Sequence, residues 1–305
     1  MECSKVVSIH IDGMKIVNIL GGLGNQMFVY AFYLALTEAH PNEEIFLCRR
    51  SYNGYPLHNG YELDRIFDVK AREASLLQLA RVAYPFFNYK TWQLMRHFLP
   101  ERQNMVSGTT QIPFDYGEVT RDGDAFYDGY WQNEKIFLPI RDKVVKAYTF
   151  PEFQDERNVR LAETLKMKRG ASCHIRRGDY LKDPVYGVCN SDYYAKAITD
   201  LENTVAPEMY CIFSDDIAWC KDNISSMIGD KEIVFVDWNK GKESFRDMQL
   251  MSLCHYSIIA NSSFSWWGAW LNNHKDKVIL APEKWMNKPL VNDPICEDWK
   301  RIKVD

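Results

Sequence analysis

From Ala171 onward the chain repeats one pattern: a short apolar run, a loop, and a longer stretch with helical periodicity. Runs at Ala171 to His174, Met209 to Ser214, Ile233 to Val236, Tyr256 to Ala260 and Val278 to Ala281 are separated by helical patterns at Asp192 to Asn203, Ile217 to Met227, Ser244 to Cys254 and Ser265 to Asn272. Continuous apolar runs of this length suit strands buried on both faces, and the segments between them supply crossover helices. The alternation predicts an α/β unit on a parallel sheet. In such sheets ligands bind at the loops beyond the carboxyl ends of the strands, so the residues just after each run are the ones to read for chemistry.

The first half opens in the same way and then loses the pattern. Lys15 to Leu20 predicts a strand, Gly21-Gly22-Leu23-Gly24-Asn25-Gln26 a turn, and the apolar residues through Leu36 a helix. After Gly22 and Gly24, the third glycine of a dinucleotide fingerprint would fall at Met27, so that fingerprint fails. A glycine turn feeding a helix still presents backbone N–H groups and a positive dipole end to anionic or polar ligands, and a plain strand-to-helix turn would use the same residues. Leu63 to Tyr84 predicts one helix within an otherwise irregular stretch. A chain of 305 residues, 46% of them hydrophobic, can bury more than one core. The boundary is predicted near Pro151, giving lobes of residues 1–150 and 151–305.

Charge and cysteine usage narrow the function classes. A formal charge of -4 with scattered Lys and Arg leaves no basic footprint, so no nucleic-acid partner is expected. The cysteines, at positions 3, 48, 173, 189, 211, 220, 254 and 296, form neither a C-x-x-C pair nor a zinc spacing, and read as buried thiols of a cytoplasmic protein. Met27 to Leu36 is far short of the ~20 residues that span a bilayer. Glu2, Lys5, His10 and Asp12 interrupt any signal-peptide core. No integral membrane segment is expected, and any association with the inner membrane would be peripheral.

His174-Ile175-Arg176-Arg177-Gly178-Asp179-Tyr180 concentrates two guanidiniums, an imidazole and a carboxylate where a buried strand meets its loop. A guanidinium is always charged and presents a planar fork of donors, so it can neutralise a diphosphate where other enzymes use a metal. Cys211 to Ser214 runs into Asp215 and Asp216: one acid can cap the helix at Ile217, and the second is available to a ribose or a guanine, although both could simply stabilise the helix start. Ile258 to Ala260 leads to Asn261-Ser262-Ser263-Phe264-Ser265, whose hydroxyls and amides suit phosphate oxygens, with Ser265 equally fit to cap a helix whose tryptophans are core. Phe126 to Gln132 is an aromatic run that suits either sugar stacking or a buried strand. Asp122-Gly123-Asp124 has the form of a metal-binding D-x-D triplet, but Asp-Gly is common turn text, and a turn is the expectation.

Four segments, in this order, carry a resemblance: Gly22-Leu23-Gly24-Asn25-Gln26, Gly129-Tyr130-Trp131-Gln132-Asn133-Glu134-Lys135, the His174 to Tyr180 motif, and Asn261-Ser262-Ser263-Phe264-Ser265-Trp266-Trp267. Together they resemble the α-1,2-fucosyltransferases of glycosyltransferase family 11, over nearly the whole chain. The resemblance implies an α/β, GT-B-like fold of two Rossmann-type lobes with the nucleotide-sugar site between them, the N-terminal lobe facing the acceptor and the C-terminal lobe binding GDP-fucose. It implies inverting, metal-independent transfer of L-fucose from GDP-fucose to the 2-hydroxyl of a terminal β-galactoside, with no cofactor, on an oligosaccharide or lipid-linked glycan of O-antigen or capsule synthesis.

Carried over by residue, the resemblance gives Arg176 the β-phosphate and the charge that grows on it. Arg177 would hold the motif or assist the diphosphate, and His174 would contact the nucleotide. Asp215 and Asp216 would read guanine or ribose, while Ser262, Ser263 and Phe264 would contact the phosphates. Gly22 and Gly24 would let the donor approach, Asn25 would touch fucose or acceptor, and Tyr130, Trp131 and Gln132 would line the acceptor side. Asp179 is the carboxylate that would act as base or orient Arg177. Rival readings are a transferase of another linkage or another GDP-sugar, and a carbohydrate-binding protein without turnover.

Overall fold

The computed structural model describes residues 13–108, 117, 121–178, 184–187, 189–290 and 292–303. The chain divides into two compact units, residues 1–64 with 68–147, and residues 65–67 with 148–305. Each is an α/β layer structure on a parallel sheet.

The N-terminal unit carries strands β1 (Met14–Asn18), β2 (Glu44–Cys48), β3 (Met105–Gly108) and β4 (Ala125–Gly129), in the order β2-β1-β4-β3, all parallel. Helix α1 (Leu23–Ala39) follows β1 and is buried from Leu23 through Leu36 apart from a half-exposed Asn25, which is why its sequence is apolar almost all round. Lys15 lies wholly buried on β1, yet its ammonium is paired with Glu43 and donates to the Gly123 carbonyl at 3.0 Å, so the charge is compensated.

The predicted helix over Leu63 to Tyr84 is instead two: a short one at Leu63–Ile66 and α2 at Leu76–Val82. The residues between run extended beside β2. Leu47 donates its N–H to the Arg72 carbonyl at 2.7 Å, and Ala74 returns one to Leu47 at 2.9 Å. That pairing covers an open sheet edge, which local helix propensity cannot offset. Ser75 then restarts the helix through a capping box with Gln78. Helix α3 (Tyr89–Phe98) has the same device, Asn88 with Thr91, and was not foreseen from the sequence.

The C-terminal unit contains the five predicted strands, together with a strand at Lys300–Ile302 and a helix at Glu156–Met167 that were not predicted, and the predicted helix from Ile217 to Met227 breaks into Ile217–Asn223 and Ser225–Ile228. Strands β5 (Gly170–Ile175), β6 (Met209–Ser214), β7 (Glu232–Val236), β8 (Tyr256–Ile258), β9 (Val278–Pro282) and β10 (Lys300–Ile302) form a parallel sheet in the order β10-β9-β8-β5-β6-β7. Around it lie α4 (Glu156–Met167), α5 (Ser191–Thr204), α6 (Ile217–Asn223), α7 (Phe245–Leu253) and α8 (Ser263–Trp270). The strand order places β5 between β6 and β8, so the three loops expected to carry chemistry leave the same edge of the sheet from neighbouring strands. Trp266 and Trp267 are fully buried and meet edge to face, fixing α8 beneath its serine-rich start. Six of the seven described cysteines are buried, as their apolar neighbours predicted.

Candidate functional site

The end of β5 delivers His174, Arg176 and Arg177. His174 is 7% exposed, and burial, followed by the nearby Arg176 charge, pulls its imidazole down to about 3, so the ring is neutral at ordinary pH. The Tyr194 hydroxyl donates to the His174 carbonyl at 3.2 Å, and the Phe264 ring lies 6.1 Å from the imidazole. Nδ1 of His174 is buried and has no hydrogen-bond partner among the described residues. A buried, unsatisfied ring nitrogen at a strand end is what a site leaves for a ligand to complete.

Asp215, at the end of β6, ties the next loop to this one. Its carboxylate accepts the N–H of Arg177 at 2.9 Å and of Gly178 at 3.2 Å, and pairs with the Arg176 guanidinium at 3.1 Å. A Cβ at Gly178 would sit 2.9 Å from a carboxylate oxygen of Asp215, so a side chain there would push against the acid that holds this loop. Asp216 caps α6 by accepting the Trp219 N–H at 3.1 Å and pairs with Arg177 at 3.1 Å. The Arg177 guanidinium lies 4.0 Å from the Trp219 ring centre.

This geometry separates the two arginines. Arg177 is stacked and paired as a strut, while Arg176 is a half-exposed fork oriented by the Asp215 carboxylate. The two acids also brace the loops that carry them. Asp215 holds the backbone N–H groups of the loop after β5, and Asp216 holds that of Trp219 in the first turn of α6. Trp219 and Tyr194 were missed in the sequence reading. Trp219 could have been found, since it lies three residues beyond a helix-capping aspartate. Asp179 lies outside the described residues.

After β8, Ser262 caps α8, its hydroxyl oxygen accepting the Phe264 N–H at 3.3 Å. The hydroxyl proton of a capping serine remains to donate outward. Ser263 and Phe264 are half-buried at the helix start, and Ser265 turns inward to the Ala260 and Ser262 carbonyls. Asn261 clamps the loop by donating to the carbonyls of Tyr186 and Trp285, both at 3.0 Å. His174, Arg176 and the Ser262 to Phe264 turn thus converge on one strand-end edge of the C-terminal unit.

In the N-terminal unit the glycine turn is held from several sides. Gly21 adopts φ 98°, which favours glycine, and its carbonyl accepts from the Tyr52 hydroxyl at 2.7 Å and from Gln26 at 3.0 Å. Gly22 precedes α1 with no side-chain cap, and a Cβ there would meet the His58 ring at 3.2 Å. Gly24 is buried in the first turn of α1. Asn25 accepts from Gln132 at 2.8 Å, which joins the turn to the loop after the adjacent strand β4. Tyr130 is 40% exposed beside it. Trp131 departs from its expected part as an acceptor platform. Its ring stacks on Phe32 at 4.3 Å and leaves 6% exposed, because a left-handed backbone (φ 51°) turns it into the core.

The Asp122-Gly123-Asp124 triplet is the expected turn, with Gly123 at φ 86°. Asp124 accepts the Met14 N–H at 3.0 Å and receives Arg81 bidentately at 2.7 and 2.9 Å. Its oxygens are therefore committed to the fold.

Each unit is an α/β fold on a parallel sheet, and β5 of the C-terminal unit ends in an arginine-rich loop. The sequence profile described as Glycosyl transferase family 11 matches residues 82–303, and the chain belongs to that family. It is 31% identical to an alpha-1,2-colitosyltransferase of Escherichia coli, over 94% of this chain and 98% of that protein. It is 30% identical to the O-antigen biosynthesis glycosyltransferase WbnK of Escherichia coli, over 87% and 92%. A rabbit (Oryctolagus cuniculus) galactoside alpha-(1,2)-fucosyltransferase 2 is 24% identical, over 88% and 70%. Among solved structures, the NodZ alpha-1,6-fucosyltransferase soaked with GDP-fucose aligns over 85% of this chain and 92% of its own at 14% identity, with a TM-score of 0.49.

Proposed function

We propose that this chain transfers L-fucose from GDP-fucose to the 2-hydroxyl of a terminal β-galactoside, with inversion and without a divalent cation, in the synthesis of a bacterial surface glycan. The observation that carries this reading is the paired division of labour at β5: Arg177 braced by Asp216 and Trp219, Arg176 presented beside an unsatisfied His174. Asp215, held by the Arg177 and Gly178 N–H groups, orients the Arg176 guanidinium, and a preorganised donor acts where charge develops.

In the proposed step the acceptor oxygen attacks C1 of fucose as the bond from C1 to the β-phosphate oxygen breaks. The electron pair passes to the phosphate, where the Arg176 guanidinium stabilises it, and the hydroxyl proton passes to a base, which this reading assigns to Asp179. The neutral His174 ring meets the nucleotide as a hydrogen-bonding group rather than as a second cation. Tyr130, Asn25 and Gln132 face the acceptor, and the Ser262 to Phe264 turn donates to phosphate oxygens.

A second reading is favoured by one finding, the 31% identity with a colitosyltransferase over 94% of this chain. Colitose is L-fucose without its 3-hydroxyl, so the same diphosphate site would serve either donor. The test is to incubate purified protein with β-galactosides and either GDP-fucose or GDP-colitose, and to determine the linkage of the product. Preference for GDP-fucose with a 2-linked product, undiminished by EDTA, is the expected outcome. A higher kcat/KM for GDP-colitose selects the second reading. Loss of activity in EDTA that Mn²⁺ or Mg²⁺ restores ends the metal-free mechanism.

A further inference from the structure

Residues 74–100 contain Arg81, Lys90 and Arg96 and no Asp or Glu. The same stretch holds five large apolar side chains that face solvent: Leu77, Phe87, Leu94, Phe98 and Leu99, from 40% to 84% exposed. Such density has no counterpart elsewhere among the described residues, where exposed apolar side chains are scattered singly. On α3, Lys90, Leu94 and Phe98 are spaced by four and lie along one strip, opposite Tyr89, Trp92 and Met95, which pack on the N-terminal core. The rotation of the helix is fixed. Trp92 donates its indole N–H to Asp128 at 3.2 Å, and the Asn88 capping box anchors the first turn, so the Leu94–Phe98 strip stays outward.

From this arrangement we infer that α3 and the loop before it form a docking surface for an anionic phospholipid bilayer. A ten-residue helix is too short to span a membrane, but an apolar strip flanked by basic residues lies in the interfacial plane, with leucine and phenylalanine in the acyl boundary and the cations at the headgroups. The charge pattern selects the occupant. A second copy meeting this face about a twofold axis would bring Lys90 against its own equivalent, whereas an anionic lipid surface complements it. Arg81 is held by Asp124, and Arg96 lies over Trp92 and 3.5 Å from Asp128, which leaves Lys90 as the most available cation. Insertion of apolar side chains therefore supplies most of the binding, and charge steers it.

The inference is independent of donor and acceptor, and its test uses neither. Full-length protein is sedimented with vesicles of phosphatidylcholine alone, or of phosphatidylcholine containing phosphatidylglycerol. A larger fraction should pellet with the second than with the first. The double variant Leu94→Glu, Phe98→Glu should lower partitioning by about tenfold or more, and Lys90→Glu by less, with circular dichroism unchanged. Wild type that ignores phosphatidylglycerol vesicles overturns the inference, as does a double variant that pellets like wild type. A solution dimer that Phe98→Glu dissociates would assign the face to a second copy instead.

Discussion

Arg176 and Arg177 are adjacent in sequence and unlike in surroundings, and that difference makes the strongest residue-scale prediction. Arg176→Lys keeps a charge but loses the planar fork, so it should fail almost as badly as Arg176→Ala. Removing a preorganised donor from developing charge costs on the order of 10² to 10³ in kcat. GDP affinity should fall less than turnover, because part of the contact strengthens only as the sugar leaves. Arg177→Ala should act differently, since it unstacks Trp219 and releases Asp216 from its ion pair. Stability should drop along with turnover, and the thermal midpoint reports it. If Arg177→Ala lost turnover while Arg176→Ala kept most of it, the two roles would be reversed. Both arginines were legible in the sequence because charged pairs at the end of a buried strand have few structural uses. The inward turn of Trp131 was not, because it depends on a positive φ and on Phe32, 99 positions away.

At the scale of elements, the C-terminal sheet could be read because its inner strands are buried on both faces and announce themselves as apolar runs, whereas the edge strand Lys300–Ile302, two of whose three residues are exposed, could not. In the N-terminal unit the strand Glu44–Cys48 has an edge closed by residues 72–74, and no local pattern encodes that pairing. The helix α7 was predicted, but not the polar network at its first turn. There Asp247 accepts from Asn239 at 2.8 Å, Asn239 exchanges hydrogen bonds with Asn158, and Trp238 donates to Asn158. Burial raises the Asp247 carboxyl from 3.8 to about 7, against the smaller opposing effects of Asn239 and Lys240. Its folded form thus binds a proton more readily than its unfolded form. The stabilisation is complete below about pH 4 and is lost as pH rises through about 7. Asp247→Asn keeps an acceptor for Asn239 and removes the titration. Denaturant unfolding at pH 5 and pH 8, in both chains, should show wild type losing stability relative to the variant at the higher pH, by on the order of a few kcal/mol. His174, whose pKa is depressed, contributes the opposite slope in both proteins and cancels in the difference.

For the molecule as a whole, two units with separate cores divide the proposed reaction. The C-terminal unit holds the side chains proposed for a nucleoside diphosphate: the orphaned His174 nitrogen, the Arg176 fork and the Ser262 cap. The N-terminal unit holds Gly21 to Gln26, joined through Gln132 to the loop after β4, a turn with polar amides and no cation of its own. A diphosphate should therefore bind the first and need nothing from the second, whereas a sugar or an acceptor should engage the glycine turn. Hydrogen exchange separates these contributions, since bound ligand slows amide opening only where it stabilises the closed form. GDP alone should slow exchange at residues 174–178 and 262–265 and leave residues 21–26 unchanged. A non-transferable GDP-fucose analogue together with a β-galactoside should extend protection to residues 21–26. If GDP alone protected the glycine turn and spared the β5 loop, the nucleotide would belong to the N-terminal unit. Arg176 and Asn25 would then have to exchange roles, with the diphosphate held at the turn before α1 and the sugar at the end of β5.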